Sequence, residues 1–110
     1  MKINDKMEEK LLERIKSIAL ELKLLRCIGR GEAYPYSLLK ELENVKIGKF
    51  KLSKSDIYNA ISSLERKKYI KVSKQAGAKK YYKLTANGRK ALSGTKRILL
   101  NTMKGISKML

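Results

Sequence analysis

Ser55, Asn59, Ser62 and Arg66 are separated by four, three and four residues, which at about 3.6 residues per turn brings them to one side of a helix. These are groove-reading types. An Asn amide pairs bidentately with adenine, an Arg guanidinium with guanine, and a Ser hydroxyl donates to a base edge or a phosphate. Lys54 and Tyr58 flank the same side, while Ile57, Ala60, Ile61 and Leu64 recur on the other and would seat the helix on a core. Any exposed helix side is polar, so the plainer alternative is a solvated surface. A second cluster, Lys74, Gln75, Lys79 and Lys80, brackets Gly77. On a hairpin tip it would straddle a neighbouring minor groove or its phosphates; the alternative is an ordinary hairpin whose lysines guard a sheet edge.

The distribution of charge favours the nucleic-acid readings. From Arg66 to Leu110 the chain carries fourteen Lys and Arg side chains and no Asp or Glu, within a net charge of +17. Such a field repels itself, and a polyanion whose condensed counterions are released on binding relieves the repulsion. Double-stranded DNA is the first candidate partner and an anionic membrane the second. There is no histidine and one cysteine, Cys27, which removes His-based acid–base catalysis, a zinc cluster and an internal disulfide. No catalytic residue, metal or cofactor is therefore expected, and the chain does not read as an enzyme. Cys27 reads as packing, because only Arg26 beside it would favour a thiolate. Tyr34 and Tyr36 read as packing and Tyr82 and Leu84 as core, with Tyr81 open between packing and contact. The N-terminus carries Asp5, Glu8 and Glu9 where a signal peptide needs an apolar stretch, and no uncharged apolar run approaches the about 20 residues of a spanning helix. These features predict a cytoplasmic, nucleoid-associated protein.

The elements that must position these residues follow from hydrophobic periodicity. Asp5 and Glu8 open a first helix as an acidic capping pair, and Met7, Leu11, Ile15, Ile18, Leu22 and Leu25 form its stripe as far as Ile28 and Gly29. A second helix starts near Pro35 and buries Leu38, Leu39 and Leu42; Ile47, Phe50 and Leu52 then lie in a Lys-rich loop or short strand. Ser53 caps a third helix. Ile70 and Val72 alternate into a strand, residues 74–78 read as a turn, and Tyr82 and Leu84 return in a second strand. Thr85 caps a fourth helix with Leu92, Leu99, Met103, Ile106 and Leu110 as its stripe and Gly94 as a weak point. The order helix, helix, helix, basic hairpin, helix is that of a winged helix-turn-helix. The fold class predicted is mainly α with a small β-hairpin, one domain over residues 1–110: a long N-terminal helix over 5–28, the helix-turn-helix and wing over 34–84, and a C-terminal dimerisation helix over 85–110.

Three blocks make the pattern more specific. Residues 34–42 (Tyr-Pro-Tyr-Ser-Leu-Leu-Lys-Glu-Leu), 52–65 with the pair Ile57-Tyr58 after the Ser cap, and 80–89 (Lys-Tyr-Tyr-Lys-Leu-Thr-Ala-Asn-Gly-Arg) resemble the matching blocks of PadR-type transcriptional regulators, over residues 34–92. The Tyr-x-Leu-Thr-x-x-Gly-Arg block also occurs in MarR-type and other winged-helix families, so it specifies the fold better than the family. By this resemblance Tyr58 is similar to a family tyrosine that reaches the DNA backbone. The first helix is longer than the leading helix usual in that family, a departure that resembles archaeal winged-helix chromatin proteins dimerising through long helices.

The resulting expectation is a homodimeric, sequence-specific DNA-binding transcriptional regulator, a repressor, with Lys54, Ser55, Tyr58, Asn59, Ser62 and Arg66 reading the groove and Lys74, Gln75, Lys79 and Lys80 on the wing. Met7, Leu11, Ile15 and Ile18 would meet Leu99, Met103, Ile106 and Leu110 across a two-fold axis, with Glu8, Glu9 and Glu13 offsetting the basic fourth helix. The alternatives are a weakly specific chromatin-type DNA-binding protein and a basic membrane- or protein-interaction module. A cleft between the long helices could hold a small effector, whose chemistry the sequence leaves unspecified.

Overall fold

The structure, a computed structural model, describes residues 5–31, 33–43, 46–47 and 50–110. In chain order these form α1 (Asp5–Gly29), α2 (Pro35–Leu42), β1 (Lys46–Ile47), β2 (Phe50–Lys51), α3 (Lys54–Arg66), β3 (Ile70–Ala76), β4 (Lys79–Leu84) and α4 (Ala86–Met109). This is the mainly helical arrangement with a small hairpin that the sequence predicts. The Lys-rich connection between α2 and α3 is a two-residue antiparallel ladder, β1 with β2. The capping side chains of Asp5 and Glu8 and the side chains of Ile47 and Phe50 lie outside the described residues.

Leu24 and Ile28 of α1, Leu38 and Leu42 of α2, Ile57 and Leu64 of α3 and Ile70 of β3 are the largest side chains fully removed from solvent. Helices and hairpin thus close over one apolar cluster, joined by Leu52, Ile61, Tyr82 and Leu84. Two expected stripes are only partly core in the protomer. On α1 the core takes Leu20 and Leu24, whereas Met7, Leu11, Ile15 and Ile18 are exposed and Leu22 is half-buried. The apolar residues of α1 cover more of its circumference than a small core can bury, so packing on α3 selects the inner side. On α2, Leu39 packs at the edge of the cluster instead of inside it. α4 runs unbroken through Gly94.

The wing is longer than the sequence suggests. Lys74 pairs with Tyr81, Gln75 with Lys80 and Ala76 with Lys79, so residues 74–76 are strand and the turn is only Gly77 and Ala78. Gly77 has φ +62°, the left-handed conformation that a two-residue hairpin needs at its first position. Between the Val72–Tyr82 and Lys74–Tyr81 pairs Ser73 is an extra residue, a bulge that shifts the alternation of β3, and its hydroxyl donates to the Tyr81 carbonyl at 3.2 Å. Ala33 adds a short third edge by exchanging backbone bonds of 2.7 and 3.2 Å with Tyr82.

The conspicuous Leu-Thr-x-x-Gly motif has a local physical basis. Thr85 caps α4 by accepting from the Gly88 N–H at 3.0 Å while its hydroxyl donates to the Lys68 carbonyl at 2.6 Å. Its own N–H donates to the Tyr69 carbonyl at 3.0 Å. That carbonyl lies where a Cβ on residue 88 would stand, so only glycine lets α4 start this close to the end of α3.

Candidate nucleic-acid interface

α3 is held at both ends. At its start the Ser53 Oγ accepts from the Asp56 N–H at 3.1 Å and the Asp56 carboxylate accepts from the Ser53 N–H at 2.9 Å, a reciprocal capping box. This N–H bond, with the Ser53 hydroxyl and the Lys16 ammonium adding to it, holds the Asp56 carboxyl below the usual carboxylate range against a smaller opposing effect of burial. At its end the Tyr69 N–H reaches the Leu64 carbonyl and the Lys68 N–H the Glu65 carbonyl, both at 3.0 Å, with Lys68 at φ +62°. This is a Schellman closure with lysine in the position that usually takes glycine. α1 braces the flank: Lys16 lies 3.1 Å from Glu13 and 3.5 Å from Asp56, and Glu21 accepts from the Ser63 hydroxyl at 2.9 Å and Lys67 at 3.1 Å. Glu13, expected to face α4 of a second chain, is therefore engaged within its own chain.

With Ile57, Ala60, Ile61 and Leu64 buried, Lys54, Ser55, Tyr58, Asn59, Ser62 and Arg66 all lie on the exposed side of α3. The structure brings together the six residues that the spacing singles out. Tyr58 and Ser62 border the wing, and Asn59 sits at the opposite margin near Lys16 and Glu13. Lys74, Gln75, Lys79 and Lys80 are exposed on the wing, where the Gln75 amide braces the tip by donating to the Gly77 carbonyl at 3.3 Å.

Two tyrosines correct the sequence reading and a third fills in what it left open. Tyr36, assigned to packing, is 58% exposed, and Tyr34 and Tyr81 are only half-buried. Tyr34 stacks with Tyr36 at 6.3 Å between centroids and 17° between planes, and meets Tyr81 tilted at 5.2 Å. These three rings and that of Tyr58 each carry an ammonium: Lys40 over Tyr36 at 5.7 Å, Lys54 over Tyr58 at 5.8 Å, Lys74 over Tyr81 at 4.8 Å and Lys79 over Tyr34 at 4.9 Å. The signal was available in part, because Tyr36–Lys40 and Lys54–Tyr58 are i,i+4 pairs that a helix must bring together. Tyr82 and Leu84 are core as expected.

Of the expected interface residues, Met7, Leu11, Ile15, Ile18, Met103, Ile106 and Leu110 are exposed. Leu99 is instead half-buried, in a mainly apolar groove of about 580 Å³ between α1 and α4 that Leu22 and Leu92 share and Lys23, Arg26 and Lys96 rim. Cys27 is buried, its thiol donating to Glu41 at 2.8 Å and accepting from Arg30 at 3.4 Å. Burial first and the Glu41 contact second push the thiol pKa up, which disfavours the reactive thiolate and agrees with a packing role. Among the described residues no His, Cys, Asp and Glu cluster could hold a metal ion, and no helix is long and apolar enough to cross a membrane.

Residues 24–94 match the family described as "Transcriptional regulator PadR-like family". Solved structures with the same fold include a PadR family transcriptional regulator from Eggerthella lenta (20% identity, 96% of this chain and 93% of that one, TM-score 0.72). A PadR-like transcription factor from Bacteroides fragilis (14% identity, 92% and 99%, TM-score 0.71) and a PadR family transcription regulator from Clostridium difficile (21% identity, 82% and 96%, TM-score 0.67) share it too. No protein of curated function matches the sequence.

Proposed function

Because this chain belongs to the PadR-like family of transcriptional regulators, we propose that it binds duplex DNA as a homodimer, reads a specific operator, and represses transcription by occupying it. α3 enters the major groove with Ser55, Asn59, Ser62 and Arg66 towards base edges, while Lys74, Lys79 and Lys80 of the wing take flanking phosphates. The observation that carries this reading is the joint exposure of those groups on α3 and the wing, with Ser62, Lys79 and Lys80 sharing one cleft, in a chain with no Asp or Glu after Glu65. The exposed stripes of α1 and α4 support the dimer, since Met7, Ile18, Met103 and Ile106, all about half exposed or more, are an unfavourable surface for a lone protomer. Two α3 helices about 34 Å apart would demand a palindrome with half-sites about 10 base pairs apart.

The +17 charge favours a second reading, a weakly specific chromatin-type protein that binds through phosphates alone. Selection of bound fragments from genomic DNA, followed by affinities for the selected site and for random duplex at one salt concentration, separates the two. A regulator prefers its site by ~10³-fold or more; equal affinities would leave only the chromatin reading. Truncation before Ile98 removes the α4 stripe but spares the wing, and sedimentation of the product is expected to show loss of the dimer.

A further inference from the structure

The array of tyrosines has more chemistry than duplex reading uses. Tyr34, Tyr36, Tyr58, Ser62, Lys79 and Lys80 lead the lining of a cleft of about 680 Å³ between the start of α2, the wing-facing flank of α3 and the wing itself. That volume lies in the range of pockets that enclose whole small ligands, well beyond what one phosphate fills. Among the described residues none of its lining side chains is a carboxylate. Tyr36 at 58% and Tyr58 at 40% exposure show solvent ring surface that the core does not need. B-form duplex presents base edges in its grooves and keeps base faces stacked inside, so a ring face meets its natural complement only where bases are unpaired.

We propose that this cleft binds single-stranded nucleic acid, stacking unpaired bases on Tyr36 and Tyr58 while the neighbouring ammoniums hold the strand's phosphates. The proposal rests on the nucleic-acid reading above and adds a second substrate to it. In the free protein, Lys40 and Lys54 sit 5.7 and 5.8 Å from the Tyr36 and Tyr58 ring centroids. Lysine stems are long and flexible, so an arriving strand can draw each ammonium onto a phosphate and place a base on the ring face it leaves. Base–aromatic stacking of this kind tolerates any sequence, because every base has a π-face. The mode therefore suits melted duplex, single-stranded overhangs or RNA.

The test measures fluorescence anisotropy of three labelled probes with the full-length protein: an oligothymidylate, an abasic strand of equal length and charge, and duplex DNA. The oligothymidylate is expected to bind at least about tenfold more tightly than the abasic strand. Tyr36→Leu should lose about 5- to 100-fold on oligothymidylate, and Tyr36→Phe, which keeps the ring and lacks the hydroxyl, should stay within about twofold. Duplex affinity of Tyr36→Leu should change far less than its oligothymidylate affinity, and circular dichroism of both variants checks the fold. Equal binding of oligothymidylate and abasic strand overturns the proposal. So does Phe as damaging as Leu, which would assign Tyr36 to a hydroxyl–phosphate contact, or equal losses on duplex and single strand. A wild-type protein that binds oligothymidylate but not duplex would instead refute the duplex-regulator reading and leave the cleft assignment standing.

Discussion

Replacing Lys79 and Lys80 together by Ala tests the division of labour between wing and α3. Both side chains are exposed on β4, and among the described residues neither pairs with a carboxylate. The Lys79 ammonium lies over the Tyr34 ring, at 4.9 Å. Their loss should change folding stability by no more than about 0.5 kcal/mol, as for other surface positions. Binding is different. A dimer loses four ammoniums, and each phosphate neutralised contributes about 0.9 to the slope of log K against log salt, so the slope should become shallower by about 3.6. At about 0.1 M salt each released counterion is worth about eightfold in affinity, and four of them ~10³- to 10⁴-fold. Anisotropy titrations of a labelled duplex between about 50 and 300 mM salt measure both quantities. The loss should be uniform across sequences, because phosphates are the same in all of them. An unchanged slope, or a loss confined to the preferred site, would refute the assignment of these lysines to phosphates.

Four further outcomes follow from the geometry. Asn59→Ala should cost about 1–3 kcal/mol on the selected operator and little on random duplex, the converse of the wing variant in the same titration. Gly88→Ala should destabilise the fold by roughly 2–4 kcal/mol, read from the urea midpoint, because the added Cβ meets the Tyr69 carbonyl. Gly94→Ala in the same helix meets nothing and should stabilise by up to about 1 kcal/mol through helix propensity. The Asp56 carboxyl is held low by the Ser53 N–H and, to a smaller extent, by Lys16. A depressed folded-state pKa contributes stability that is present above the unfolded value and lost as pH falls through the folded one. Asp56→Asn should therefore narrow the gap in urea midpoint between neutral and strongly acidic solution, and an unaltered gap would show that this carboxyl does not stabilise the fold.

Local rules determined most of the scaffold from sequence alone. The Ser53 and Thr85 caps, Pro35 at the start of α2 and Gly77 in the turn act within a few residues of themselves, and the apolar period of α3 needs no partner to be recognised. For the same reason the exposed side of α3 was legible: once Ile57, Ile61 and Leu64 are buried, helical geometry leaves Ser55, Asn59, Ser62 and Arg66 outward. Tertiary structure decided what depends on competition between surfaces. α1 has apolar residues around much of its circumference, and only packing on α3 decided that Leu20 and Leu24 are core while Ile15 and Ile18 stay outside. The bulge at Ser73 and the strand through Ala76 rest on cross-strand hydrogen bonds that alternation does not encode. The tyrosine cleft is the clearest case. Tyr34, Tyr36, Tyr58 and Tyr81 come from three separate elements, and nothing within those segments says that the four belong together. Only the docking of the wing against the start of α2 and the flank of α3 leaves the core full without them and gathers their rings, each beside a lysine, on one surface.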